Sequence, residues 1–277
     1  MAVVDACTRD GRGGSPTAVV IDDDALTDGT RRAIVHKAGT SHAAFLGTGT
    51  DGVPAVRFFT TAGELRNCGH GTIAAQAFLL ERGGAGPYRG RQRTGGRTFA
   101  TRAVRRRDGV EVWFDQGVVE LRDRGGADGD GIVTALGLAP RDLAGDLRIA
   151  SPGTPRLLVG VRGRRALLSM RPDLDRLAAE CRRLGWLGCF AFALSPGGTT
   201  ADARMFAPAI GVDEDLVNAN SAGCLAAHLL STGRGARIEV RQGDALGRPC
   251  VVHAAATGTR AGIAVRIGGT AAVRPPA

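Results

Sequence analysis

Apolar positions along this chain switch between a period of two and a period near 3.6, which predicts strands alternating with helices. Residues 3–4 and 18–21 read as strands joined through a glycine-rich turn at 11–16. A helix is expected over 28–37. Asp22, Asp23 and Asp24 close the preceding strand and are available to cap that helix, and His36 and Lys37 fall at its end, where positive charge is favoured. Residues 53–61 form another strand. The apolar run 73–80 carries a helix to Arg82, and the glycine- and arginine-rich stretch 83–96 reads as a connection. Alternation over 99–104 and 110–115, with Asp108-Gly109 between, predicts an antiparallel pair.

The polar, glycine-rich stretch 122–131 marks a domain boundary, giving domains 1–124 and 125–277. The second begins with a helix near 130–138. Residues 156–161 and 166–170 read as paired strands, 174–184 as an amphipathic helix with arginines on its outer face, and 190–194 as a buried strand. A strand at Arg204, a turn at Glu214-Asp215 and a helix over 223–230 follow, with His228 on a packing face. Residues 238–241 and 250–254 make a last hairpin, and the tail 273–277 is expected to fray.

Composition narrows the class. A chain of 277 residues can bury the core of two ordinary domains, and 43% hydrophobic with 23% charged residues is a globular balance. The net charge of +9 raises a nucleic-acid partner. However, the arginines are scattered, and their densest run (Arg102, Arg105, Arg106, Arg107) has no interleaved aromatics for stacking. Lys37 is the sole lysine, a bias of base composition rather than a designed charge. No nucleic-acid partner is expected, and the positive field suits a small anionic substrate. Six cysteines without a C-x-x-C pair give neither a zinc knuckle nor a disulfide framework, so no metal is expected. With an acidic residue where a leader would be basic and no apolar run of spanning length, a cytoplasmic protein without membrane contact is expected.

The chemistry concentrates at Arg66-Asn67-Cys68-Gly69-His70-Gly71-Thr72, a glycine-rich turn opening onto the apolar run 73–80. Backbone N–H groups and the helix dipole at such a turn suit an anion, and a thiol and an imidazole there can exchange protons near neutral pH. Taken alone, the same residues read equally well as a helix cap around a core cysteine. A second stretch shifts the balance. Arg204-Met205-Phe206, an acidic pair and then Asn218-Ala219-Asn220-Ser221 before an apolar helix repeat the order of Arg57-Phe58-Phe59, Glu64 and the first turn. Spacing of roughly half the chain suggests duplicated domains rather than a solenoid.

Val4-Asp5-Ala6, Ser41-His42-Ala43-Ala44-Phe45, Arg57-Phe58-Phe59-Thr60, Cys68-Gly69-His70-Gly71-Thr72, Arg204-Met205-Phe206-Ala207-Pro208, Glu214-Asp215 and Gly247-Arg248-Pro249 occur in one order from residue 4 to about 250. Together they resemble the phenazine-biosynthesis, PhzF-like family. The resemblance implies an α/β (α+β) chain of the diaminopimelate-epimerase-like fold. That fold has two similar domains, each a curled mixed sheet around a central helix, with the active site in the cleft between them. It also implies isomerisation by proton transfer without a cofactor, and a homodimer. By position, His42 stands where the family has its acid/base glutamate, and His70 and Asp215 match its other titratable residues. Cys68, Gly69, Gly71 and Thr72 belong to the first turn, and Asn218, Asn220 and Ser221 replace a Thr-Gly-Ser-Ala run at the second. Arg248 is placed to hold a substrate carboxylate. An imidazole can carry a proton at neutral pH as that glutamate does. The altered positions point to a substrate of another pathway, such as alkylproline antibiotic biosynthesis. Two rivals remain at this stage: a racemase or epimerase using Cys68, weakened because Asn218 occupies the place of a second thiol, and a ligand-binding relative without catalysis.

Overall fold

A computed structural model of the chain describes residues 1–23, 25–49, 51–84, 86–123 and 129–275. The N-terminal elements are β1 (Ala2–Thr8), β2 (Ser15–Ile21), α1 (Asp28–Lys37), β3 (His42–Thr48), β4 (Pro54–Phe59), β5 (Glu64–Leu65) and α2 (Gly69–Gly83). They are followed by β6 (Tyr88–Thr94), β7 (Arg97–Arg106), β8 (Gly109–Asp123), α3 (Asp130–Ala135), β9 (Leu143–Ser151), β10 (Arg156–Val161) and α4 (Gly163–Ser169). The chain continues through α5 (Leu174–Leu184), β11 (Cys189–Leu194), β12 (Thr200–Ala207), β13 (Val212–Asp215) and α6 (Ala219–Ser231). It ends with β14 (Arg237–Gln242), β15 (Cys250–Thr259) and β16 (Gly262–Val273). No helix among the described residues is long and apolar enough to cross a membrane.

Two compact units form. One holds residues 1–115, 248–251 and 267–277, the other 116–247 and 252–266. The boundary expected at 124/125 lies outside the described residues. The chain's end returns to the first unit because Ala271, Ala272 and Val273 of β16 pair antiparallel with Ala6, Asp5 and Val4 of β1. Arg274 continues the contact: its N–H donates to the Val3 carbonyl (2.9 Å), and its guanidinium grips Asp5 at 2.8 Å from two nitrogens. The tail expected to fray is therefore held as far as Arg274, and residues 276–277 lie outside the described set.

In the first unit the strands run β8-β7-β6-β4-β3-β2-β1-β16, with β5 beside β4. α2 packs against β1, β2, β3, β4 and β7, so the sheet curls around it. The apolar run accounts for this: Ile73, Ala74, Ala75 and Ala77 are fully buried, and a helix apolar on all sides has no solvent face to keep. α1 lies outside, where Val35 packs with Ala18, Ala43, Phe45 and Phe59. Its expected span is the observed one, but its cap is Thr27, whose hydroxyl accepts from the Thr30 N–H at 3.1 Å.

In the second unit the order is β8-β9-β10-β11-β12-β14-β15-β16, with β13 beside β12. α6 is buried along most of its length and packs on β9, β10 and β14. Beneath α3, α4 and α5 lies an apolar core with Leu136, Leu157, Val159, Leu167, Leu177 and Trp186.

Three expectations differ from the structure. Residues 166–169 belong to α4 and Met170 is its C-cap; Leu167 and Met170, three apart, are both buried. The stretch 83–96 contains β6, paired antiparallel with β7 from Tyr88↔Ala103 to Thr94↔Arg97. Its inward residues, Gln92 and Thr94, are polar, so the hydrophobic alternation that announces a strand is missing. β16 was not anticipated, although it pairs with β1.

Candidate active site

In the first unit β3 and the start of α2 bring His42, Cys68 and His70 together. His42 opens β3, opposite Thr17 of β2, and Thr40 donates its hydroxyl to the His42 carbonyl at 3.0 Å. Its ring meets that of His70 edge to face, with centroids 4.5 Å apart and planes at 85°. His42 Nδ1 lies 2.9 Å from Ser41 Oγ. In the tautomer whose Nδ1–H donates to that hydroxyl, the Nε2 lone pair is the base.

Cys68 is the N-cap of α2. Its Sγ accepts from the Gly71 N–H at 3.4 Å and lies 3.5 Å from His70 Nε2. Thr72 returns its hydroxyl to the Cys68 carbonyl at 2.9 Å. Glycine at 71 is required by close approach: a Cβ there would stand 2.8 Å from two carbons of the Phe58 ring and 3.0 Å from Cys68 Sγ. Gly71 therefore lets the first turn of α2 pack closely against Phe58 and the Cys68 thiol.

All three side chains are buried, with His42 4%, Cys68 6% and His70 2% exposed. Burial drives the His42 pKa well below the ordinary histidine value of 6.5, and the nearby His70 pushes it the same way. His42 is thus a neutral imidazole, able to accept a proton at neutral pH. One donor atom from each residue lies within 4.8 Å of the others, so this nitrogen and sulfur set could also hold a borderline-soft cation. No metal-ligand spacing is visible along the chain, because the three residues come from a strand and a turn 26 positions apart.

In the second unit Asn218 takes the place of Cys68. It caps α6, its Oδ1 accepting from the Ser221 N–H at 3.0 Å and the Ser221 hydroxyl at 2.8 Å. Because Oδ1 is committed there, its Nδ2 donates to Asp215 Oδ2 at 3.1 Å. Asn220 is buried, and its carbonyl accepts from Gln116 at 3.1 Å. Ala219 begins α6 without strain, since Cys7 and Asp10 are the non-glycine residues of positive φ among those described.

Arg156 escaped the sequence reading. It opens the apolar strand β10, is 1% exposed, and donates through Nη1 to Ser221 Oγ (3.0 Å) and Asn218 Oδ1 (3.3 Å), and through Nη2 to the Thr154 carbonyl (2.9 Å). No carboxylate among the described residues pairs with it, and burial lowers its pKa. The sequence signal was there: a charged residue heading a run that is otherwise apolar. Arg248 is engaged within its own unit, donating to Asp5 Oδ1 at 3.0 Å and to the carbonyls of Gly14 (3.1 Å) and Gly13 (3.4 Å). A substrate carboxylate at Arg248 would compete with Asp5.

The profile of the family described as phenazine biosynthesis-like protein matches residues 4–275. An uncharacterized isomerase of Deinococcus radiodurans is 33% identical over 276 residues, covering 94% of this chain and 88% of that protein. The trans-2,3-dihydro-3-hydroxyanthranilate isomerase of Pseudomonas aeruginosa is 29% identical over 272 residues, covering 92% and 90%. The crystal structure of a PhzF-family phenazine biosynthesis protein of Bacillus anthracis superposes with a TM-score of 0.85 over 99% of this chain and 96% of that one. At 21% identity this likeness speaks for the fold, which is the sheet-dominated, diaminopimelate-epimerase-like one.

Proposed function

The chain belongs to the phenazine biosynthesis-like protein family, and from that premise we propose that it is an isomerase moving a proton by side-chain acid/base chemistry without a cofactor. The observation that carries this reading is the buried cluster of His42, His70 and Cys68 at the start of α2. The neutral His42 imidazole takes a proton from carbon, and the electron pair left behind spreads into an adjoining double bond or imine. A proton returned at the far carbon completes the shift, so one proton leaves and one arrives. His70, with Cys68 beside it, is the group assigned to return it. Asp215, held by the Asn218 amide, is assigned a second proton-carrying role.

The substrate class is a small, carboxylate-bearing, unsaturated or imine-containing intermediate. The Pseudomonas aeruginosa relative is named for an isomerase of such a compound. The finer reading is a step in bacterial secondary metabolism, with an alkylproline-type antibiotic pathway as one example, carried out by a cytoplasmic homodimer. Light scattering of the purified chain tests the dimer. For the activity, the chain is incubated in deuterium oxide with trans-2,3-dihydro-3-hydroxyanthranilate and separately with a cyclic imine carboxylate, and deuterium gain is read by mass spectrometry. Incorporation into either supports the reading, and none into both counts against it.

One observation bears on the thiol alternative: Cys68 Sγ sits 3.5 Å from His70 Nε2, the arrangement of a nucleophile beside a base. A two-thiol racemase needs a second cysteine at the start of α6, where Asn218 stands. Cys224 lies fully buried within that helix, its thiol pushed up to about 11 by burial. Cys68→Ser separates the readings. An imidazole-driven isomerase keeps much of its turnover, whereas a thiol racemase loses nearly all.

A further inference from the structure

The second unit contains a cavity of about 470 Å³ whose walls include Arg162, Arg165 and Arg171 together with Asp142, Ser169 and Met170. Several arginines that project from the surface of this protein find a carboxylate, among them Arg57, Arg93, Arg105 and Arg183. Arg164, one residue from the cavity wall, reaches Asp202 at 3.3 Å and Asp244 at 2.9 Å. The three cavity arginines do not: among the described residues no carboxylate lies within ion-pairing distance of any of them. Arg162 Nε donates to the Leu143 carbonyl at 2.8 Å, and Arg171 Nη1 to the carbonyls of Met170 (3.0 Å) and Leu168 (3.4 Å). Among the described residues Arg165 has no side-chain partner. The one carboxylate in the wall is occupied, since Asp142 Oδ2 accepts the Ala139 N–H at 3.0 Å.

We propose that this cavity is a binding site for a small organic phosphate, separate from the residues assigned to proton transfer. Three guanidinium groups against one carboxylate leave a net charge of two, the complement of a phosphomonoester dianion. Guanidinium forks suit phosphate oxygens, and each keeps N–H groups beyond those spent on backbone carbonyls. The volume falls within the range of small-molecule sites and exceeds what a bare phosphate fills. Leu138 and Met170 in the wall offer apolar surface to the organic part. The site goes beyond the isomerase reading and does not depend on it.

The test is calorimetric titration of the full chain with inorganic phosphate, adenosine monophosphate, adenosine and a short single-stranded oligonucleotide. Wild type is compared with Arg165→Gln and with an Arg162→Gln/Arg171→Gln double variant. These positions are exposed, so folding is expected to survive, and circular dichroism checks it. The site is expected to bind adenosine monophosphate more tightly than phosphate and not to bind adenosine. Arg165→Gln should weaken binding about tenfold, the loss of one charge-assisted contact, and the double variant more. Absence of binding at millimolar adenosine monophosphate overturns the proposal, as does equal affinity in the variants. Tighter binding of the oligonucleotide than of the nucleotide overturns it too, because the surface would then be a nucleic-acid face. Should a variant fail to fold, protection of Arg165 from phenylglyoxal by adenosine monophosphate in wild type, read by peptide mass spectrometry, decides the matter.

Discussion

The two strand–strand–helix segments that lead into α2 and α6 share one construction and differ at its tip. In the first, Arg57 stacks over Phe59 with 5.0 Å from guanidinium carbon to ring centre and holds Glu64 with two hydrogen bonds, at 2.9 and 2.7 Å. In the second, Arg204 stacks over Phe206 at 4.8 Å and holds Glu214 at 2.9 and 2.7 Å. The short strands β5 and β13 pair antiparallel with β4 and β12, and each leads within a few residues to a helix whose cap accepts an N–H from three residues on. The scaffold is the same, but the cap is a thiol in one case and an amide in the other. The same local geometry thus aims a helix start in each half, while the chemistry at the cap differs. The first half carries a buried cluster of two imidazoles and a thiol, His42, His70 and Cys68. The second carries a fixed polar array in which Arg156 and Ser221 orient Asn218 toward Asp215.

If that contrast is right, His42→Ala has the largest effect, lowering turnover by about 10²–10⁴-fold as for a lost general base, while Asn218→Ala costs less. Steady-state kinetics on the two variants compares them. The two Arg–Glu pairs should then separate by burial. Arg204 and Glu214 side chains are 9% and 14% exposed, Arg57 and Glu64 38% and 41%. Glu214→Gln is expected to destabilise by about 3–5 kcal/mol and Glu64→Gln by less than about 1 kcal/mol, read from urea midpoints. Glycine contacts come next: Gly71→Ala should cost about 1–3 kcal/mol through the clash with Phe58, and activity should fall with it. At the caps, Asn218→Ala should cost about 1 kcal/mol and Cys68→Ala less, sulfur being the weaker acceptor.

The smallest effect is one of pH. His42 has a lowered pKa in the folded state, so the unfolded chain binds more protons between that value and about 6.5. Its contribution to stability is full above about 6.5 and is lost as the pH falls through that window. His42→Gln should flatten the acid side of the stability curve, measured by denaturation at a series of pH values.

Much of this architecture was legible in the chain. α1 and α5 have the bounds their periodicity gives, and α5 is fenced by Asp173 at its cap and Gly185 at φ +66°. The approach of His42 to His70 was legible only through a family motif, since no local pattern says that the start of a strand will meet the start of a helix. What could not be read is where polar residues face inward. β6 hides its register behind Gln92 and Thr94, which pair with Gln76, Thr72 and the Val56 carbonyl. Arg156 is buried by contacts made 62 and 65 positions away. Such residues are specified by their partners rather than by period, and the partners are distant in sequence.

The most direct test of proton transfer through the first-half cluster is solvent-deuterium incorporation into trans-2,3-dihydro-3-hydroxyanthranilate or a cyclic imine carboxylate, by wild type, His42→Ala and His42→Glu. Wild type should introduce deuterium at carbon, His42→Ala should all but abolish it, and His42→Glu, restoring a proton-carrying side chain, should recover part of the rate. Undiminished exchange in His42→Ala would contradict the assignment of His42 as the base.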